Sequence, residues 1–407
     1  MATTDIATPG GLGITVGIAQ RLRDLPPYLF VEIDRKKREA AARGVDIINL
    51  GIGDPDIPTP RFIVRALQGA ATKPPNHRYP ESEGLAEFRA AVAAWYGRRF
   101  GVTLDAQREI ITLIGAKEGI GHLPLALVDP GDVVLIPDPA YPVYQAGTVF
   151  AGGVPYRMPL RGERGFLPDF GAIPPDVARQ AKLMFLNYPN NPTGAVAPLE
   201  FYREVVEFAR GHNVIVAQDN TYSEISFGGY RPASFLEVPG AAEVGVEFHS
   251  LSKTFNMTGW RIAFIAGHPE VVEALRKVKA NLDSGAFQAV QEAGIAALER
   301  AEEVAAKNSR IYLRRRNVLV RALRKVGVAA AAPKASFYVW ARVPAGHTSA
   351  SFVSLLIERA GIVCTPGNGF GEHGEGYVRF ALTAPVKRLE EAARRIEEAV
   401  NGLRVHG

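Results

Sequence analysis

The chain has 407 residues, 47% hydrophobic and 22% charged, with a net charge of +5 at pH 7. That length fits two or three globular units, or one large unit with an appendage, and the composition excludes a disordered or fibrous chain. The modest charge excludes a one-sided basic footprint for nucleic acid, because acids and bases alternate, as in Arg388-Leu389-Glu390-Glu391-Ala392-Ala393-Arg394-Arg395. No apolar run reaches the length of about 18 residues that spans a bilayer. Residues 1–17 lack the basic start and apolar core of a secretory signal. Cys364 is the single cysteine, so neither an internal disulfide nor a metal-type cysteine pair can form, which agrees with a reducing cytoplasm. The histidines show no metal-ligand spacing.

In chain order, residues 1–17 are rich in Gly, Thr and Ala and read as an arm. Arg35 to Arg43 forms a short charged helix that stops at Gly44. Val45–Leu50 is strand-like and runs into the turn Gly51-Ile52-Gly53-Asp54-Pro55-Asp56, where glycine lets backbone approach a ligand. After Arg78-Tyr79-Pro80, the spacing of Leu85, Phe88, Val92 and Trp95 predicts an amphipathic helix to about Phe100. Between residues 108 and 267 short apolar runs alternate with helical stretches. The expected strands are Ile110–Ile114, Val133–Ile136, Leu183–Leu186, Val214–Ala217, Val246–Phe248 and Ile262–Ala266. The expected helices are Glu118–Val128, Leu199–Arg210 and Glu270–Lys279. This alternation predicts an α/β fold with a mostly parallel sheet covered on both faces, and ligand-binding residues at its carboxyl edge. After residue 290 the texture changes: a long helix from Gln291 to Val326, strands at Phe337–Val343, Ile362–Thr365 and Tyr377–Leu382, and helices at Ser349–Ala360 and Leu389–Leu403. The expected division is therefore 1–49, 50–290 and 291–407, with the first segment completing a smaller α+β unit built mainly by the last.

The chemistry gathers at Ser250-Leu251-Ser252-Lys253, with Arg261 eight residues on. A lysine that forms an imine must be neutral part of the time. Neighbouring hydroxyls and an arginine suit a phosphate held beside the amine. The stretch alone is also compatible with a Ser/Thr-rich loop carrying a surface lysine. Asp219 closes one expected strand and Tyr222 follows it. The acid either caps a helix or holds a proton on the ring nitrogen of a pyridine-type cofactor. Asn187-Tyr188-Pro189-Asn190-Asn191-Pro192-Thr193-Gly194 is a stiff turn that either serves structure or aims Asn191 at a ligand oxygen. Gly115-Ala116-Lys117 opens a helix whose free N–H groups suit a phosphate. Tyr141 either stacks on a flat ring or packs in the core. Gly369-Phe370-Gly371-Glu372-His373-Gly374 fits a G-x-G-x-x-G pattern but precedes a strand, which excludes the dinucleotide fingerprint. Arg379 on that strand is an ion-pair partner or a bidentate clamp for a carboxylate.

Together these motifs resemble the class I/II aminotransferases, the fold-type-I pyridoxal-phosphate enzymes, from Gly53 to Arg379. The resemblance implies an aspartate aminotransferase-like fold: a large cofactor-binding domain with a mostly parallel seven-stranded sheet between helices, plus a smaller α+β domain. It implies Lys253 as the amine that condenses with the aldehyde of pyridoxal 5'-phosphate, Asp219 on the ring nitrogen, Tyr222 and Asn191 on the ring oxygen, and Tyr141 against the ring. Ala116, Lys117, Ser250, Ser252 and Arg261 take the phosphate, and Tyr79 reaches the phosphate of a neighbouring subunit, which implies a homodimer with shared sites. Arg379, with Asn191 and the Gly53 backbone, holds the substrate carboxylate. The activity implied is ping-pong transfer of an amino group between an amino acid and a 2-oxo acid, in the cytoplasm. Leu25-Pro26-Pro27-Tyr28-Leu29-Phe30, Leu50–Asp56 and Ser252–Arg261 further resemble the LL-diaminopimelate aminotransferases of lysine biosynthesis. Aspartate and alanine aminotransferases share much of the pattern, and a lyase on the same cofactor is the remaining alternative.

Overall fold

Apolar strand residues in the middle of the chain divide between two faces. In Ala181–Asn187, Leu183 and Phe185 enter one hydrophobic cluster, whereas Met184 and Leu186 enter another. Strand side chains alternate with a period of two, so a run that is apolar throughout must be covered on both sides. Val133–Ile136 divides the same way, Val133 and Leu135 against Val134 and Ile136. Helices 86–100, 199–212 and 288–299 cover the first face through Phe88, Val205 and Ala293 among others. Helices 116–127, 143–150 and 269–282 cover the second through Ile120, Tyr144 and Leu275.

The computed structural model describes residues 16–25 and 30–404. The arm expected over 1–17 falls mostly outside the described residues, as does Pro26–Leu29 of the Leu25–Phe30 run. In chain order the strands are β1 (Ile48–Asn49), β2 (Ile110–Leu113), β3 (Val133–Asp138), β4 (Val154–Pro159), β5 (Ala181–Asn187), β6 (Ile215–Asp219), β7 (Gly245–Ser250), β8 (Ala263–Gly267), β9 (Tyr338–Arg342), β10 (Ile362–Val363), β11 (Thr365–Pro366) and β12 (Tyr377–Ala381). The main sheet has seven strands in the order β2-β8-β7-β6-β5-β3-β4. Every pairing is parallel except those of β8, which runs antiparallel to both β7 and β2. β4 has no counterpart among the expected strands. It lies at the sheet edge, begins on an exposed Val154 and carries prolines at 155 and 159, none of which reads as a buried strand.

A second apolar cluster joins Ala40, Ile48 and Leu50 to residues from Tyr312 onward, including Leu323, Phe352, Phe380 and Ile396. β1 pairs in parallel with β10, and β11, β12 and β9 form an antiparallel sheet. The single helix expected from Gln291 to Val326 is instead two, Gln288–Glu299 and Ala301–Lys325. Arg300, with φ −116° and ψ 27°, breaks them, and no glycine or proline marks that break in the sequence. Side chains up to Val304 belong to the first cluster and those from Tyr312 to the second. Among the described residues no helix is long and apolar enough to cross a membrane.

This topology fixes where the site lies. β2, β3, β5, β6 and β7 run the same way, so Leu113, Asp138, Asn187, Asp219 and Ser250 end at one edge. Because β8 runs the other way, its first residue, Ala263, pairs with both Ser250 and Leu113 at that edge. Phe248 anchors the middle of β7 and is fully buried. Phe248→Ala is expected to cost about 3–5 kcal/mol of unfolding free energy, read as an earlier denaturant midpoint.

Candidate active site

Lys253 follows the end of β7. The Ser250 hydroxyl accepts a hydrogen bond from the Ser252 amide (3.2 Å) and caps a single helical turn, Leu251–Thr254. From that turn the lysine enters a cavity of about 930 Å³, large enough for a cofactor and a small substrate. Its Nζ donates to the Gly53 carbonyl oxygen at 2.7 Å. Burial is the main reason its pKa falls to about 8; Asp54 and Asp219 oppose the fall, and Arg261 and Arg379 add to it.

Asp219 stands at the end of β6 in register with Asn187 of β5. Its Oδ2 accepts from the Tyr144 hydroxyl at 2.8 Å, and its Oδ1 accepts from the Thr221 hydroxyl at 2.6 Å and the Thr221 amide at 3.2 Å. Burial raises its pKa, while the bonds from Thr221 and Tyr144 and the nearby His249 favour the carboxylate. The Asn187 side chain ties this strand end to the next turn. It donates to the Asp219 carbonyl oxygen (2.7 Å) and accepts from the Asn191 amide (2.8 Å). Asn190 Oδ1 accepts from both the amide and the hydroxyl of Thr193, so the Asn190–Gly194 turn is braced by its own side chains.

Arg379, on β12, reaches the same cavity. Its Nη1 donates to Asn191 Oδ1 and its Nη2 to the Gly51 carbonyl oxygen, each at 2.6 Å. The rings of Tyr338 and Phe370 lie 4.3 and 4.6 Å from its central carbon. It is buried, its Nε lacks a partner among the described residues, and burial lowers its pKa. Among the described residues no carboxylate pairs with it. A buried cation without a counter-ion, bonded only to neutral groups, is ready for an anionic ligand. Tyr222 places its hydroxyl 3.1 Å from that of Tyr338, and burial, then Tyr338, raises its pKa.

An anion cradle forms where β2 meets helix 116–127. Gly115 has φ +81°, and a side-chain carbon there would lie 2.0 Å from Arg261 Nη2. Only glycine lets the guanidinium come so close to the helix start. Ala116, Lys117, Ser250, Ser252 and Thr258 line the cavity beside it, and Arg261 Nη1 is held by the Thr258 carbonyl oxygen at 2.9 Å. The unpaired amides of a helix N-terminus and a fixed arginine suit a phosphate.

Of the residues expected from sequence, Gly53, Ala116, Lys117, Tyr141, Asn191, Asp219, Tyr222, Ser250, Ser252, Lys253, Arg261 and Arg379 all line this one cavity. Tyr79 does not; it is 88% exposed on the surface of the chain. The structure adds Asn187, Tyr144, Thr221 and Tyr338, and a wall formed by Asn368 to Glu372. That wall is the Gly369–Gly374 run excluded as a dinucleotide site, and it lies in two short 3₁₀ turns before β12. Tyr144 stands three residues after Tyr141 at the start of a helix. That spacing was its sole local signal.

The class I and II aminotransferase family profile matches residues 45–396. An LL-diaminopimelate aminotransferase from Moorella thermoacetica is 58% identical over 382 residues, covering 94% of this chain and 98% of the relative. One from Aquifex aeolicus is 58% identical over 379 residues, covering 93% and 98%. The substrate-bound structure of BacF from Bacillus subtilis superposes with a TM-score of 0.90 at 40% identity, covering 94% of this chain and 98% of that one. The chain belongs to the class I and II aminotransferases. It is a transaminase and depends on pyridoxal phosphate. The donor set fits that cofactor: an amine of lowered pKa, a buried carboxylate, a phenol and an anion cradle open into one space.

In cofactor-free protein, labelling of Lys253 by an amine-selective reagent should follow its neutral fraction. The rate should rise about tenfold per pH unit below pH 8 and level off above it. A midpoint near the ordinary 10.5 would contradict the burial argument.

Proposed function

We propose that this transaminase moves an amino group between LL-diaminopimelate and 2-oxoglutarate in lysine biosynthesis. The observation that carries this is 58% identity, over 98% of its length, to a relative of that name. Bound pyridoxal phosphate supplies a protonated ring that accepts the electron pair left when an amino acid gives up its Cα proton. The chain supplies the rest. Lys253 Nζ condenses with the cofactor's aldehyde, and when released it takes up and returns the Cα proton. Its pKa of about 8 suits both directions near neutral pH. Asp219, kept anionic by Thr221 and Tyr144, holds the proton on the ring nitrogen. Tyr222 and Asn191 serve the ring oxygen, and Tyr141 packs on the ring face. Ala116, Lys117, Ser250, Ser252 and Arg261 bind the phosphate. Arg379 clamps the substrate α-carboxylate, with Asn191 and the Gly53 backbone beside it, and its uncompensated burial supports that role.

The enzyme acts as a homodimer in the cytoplasm, with each Tyr79 completing the partner's phosphate site. The near-complete exposure of Tyr79 in the single chain supports this arrangement. Two apolar clusters support a large domain and a small one, the latter drawing on residues before 50 and after 290.

A panel of amino donors, each with 2-oxoglutarate and the cofactor-loaded enzyme, tests the substrate. LL-diaminopimelate should give the highest kcat/KM; a preference for aspartate or alanine would overturn the assignment. Amino donor without an oxo acid should convert the bound cofactor to its amine form in one turnover, which a lyase would not do. Arg379→Lys should lower kcat/KM about 10- to 100-fold, because a point charge cannot replace the planar two-armed contact.

A further inference from the structure

We infer that Tyr338 is a positioning residue that sets two groups at once: its ring backs the Arg379 guanidinium, and its hydroxyl fixes the Tyr222 phenol. This rests on the roles proposed above for Arg379 and Tyr222 and adds a residue that the sequence motifs do not contain. Tyr338 lies on β9, where Trp340 is directly opposite Arg379 of β12. A residue two positions from a cross-strand partner shares its face, so Tyr338 is the diagonal neighbour of Arg379. Its ring centroid sits 4.3 Å from the guanidinium carbon. The hydrogen bonds to Asn191 and Gly51 act on two nitrogens of a planar ion. A ring against its face fixes its tilt, and the electron-rich face also favours a cation that lacks an acidic partner.

The hydroxyl does a second job. It lies 3.1 Å from the Tyr222 hydroxyl. When Tyr222 turns its proton toward a ligand oxygen, its own oxygen is free to accept a hydrogen bond, and the Tyr338 hydroxyl stands where it can donate one. A hydroxyl that accepts one bond becomes a stronger donor of another. Gly53 explains why Tyr338 fits: a side-chain carbon there would lie 1.9 Å from the Tyr338 oxygen. The bare backbone that binds Lys253 Nζ therefore packs directly on this tyrosine.

Two replacements separate the two jobs. Tyr338→Phe keeps the ring and drops the hydroxyl. Trifluorophenylalanine at the same position keeps the shape of phenylalanine and weakens the ring face. Cofactor-loaded proteins are titrated with glutarate, a dicarboxylate without an amine, and the pH midpoint of the bound cofactor's absorption is measured. Tyr338→Phe should bind glutarate within about twofold of the parent. Its pH midpoint should move in the same direction as that of Tyr222→Phe, by a smaller amount. The fluorinated ring should weaken glutarate binding by roughly three- to tenfold against Tyr338→Phe. Equal glutarate affinity for the two rings, with clear weakening in Arg379→Ala, would overturn the ring's role and leave that of Arg379 standing. An unmoved midpoint in Tyr338→Phe, with a shift in Tyr222→Phe, would overturn the hydroxyl's role in the same way. If neither Arg379→Ala nor Tyr222→Phe has an effect, the proposed roles of those two residues fail, and the inference falls with them.

Discussion

Burial makes a positive charge on Lys253 Nζ costly, and the rest of the cavity is arranged around that cost. Two arginines, 261 and 379, add repulsion, while Asp54 and Asp219 hold the shift in check. The balance leaves an amine that is neutral part of the time at physiological pH, as capture of an aldehyde requires. Each arginine in turn awaits an anion of its own: Arg261 beside the open helix start at Gly115, and Arg379 among neutral bonds and aromatic rings. A phosphate and a carboxylate arriving at those positions would relieve the crowding of positive charge, so cofactor, substrate and lysine are electrostatically linked.

One reversed strand makes this convergence possible. β8 runs against its neighbours, so the residues that precede it emerge at the edge where β2, β6 and β7 end. Arg261 thereby meets both Gly115 and the Ser250–Lys253 turn, although Gly115 is more than a hundred residues away in sequence. Asn187 performs the corresponding service between β5 and β6, joining the backbone of Asp219 to that of Asn191. The second sheet contributes Tyr338 and Arg379 from adjacent strands. The cavity is thus walled by two independently packed cores.

Much of this was legible in the sequence because the chemistry sits at strand ends, and strand ends are marked by local composition. Lys253, Asp219, Asn191 and Arg261 each follow or precede an apolar run, and all line the cavity. Tyr144 and Tyr338 were not legible. Each sits within an ordinary apolar stretch, and its meaning comes from a partner far along the chain, Asp219 in one case and Tyr222 and Arg379 in the other. β4 escaped because an edge strand need not be apolar on both faces. The break at Arg300 escaped because Ala, Glu and Arg continue across it without a conventional stop signal. Tyr79 was singled out only through family likeness; a single chain gives it no contact with the cavity.

Chemical trapping of the lysine tests the central claim most directly. Borohydride reduction of the cofactor-loaded enzyme, followed by digestion and mass spectrometry, should place a phosphopyridoxyl group on Lys253. Its appearance on Lys117, on another lysine, or on none would contradict the account.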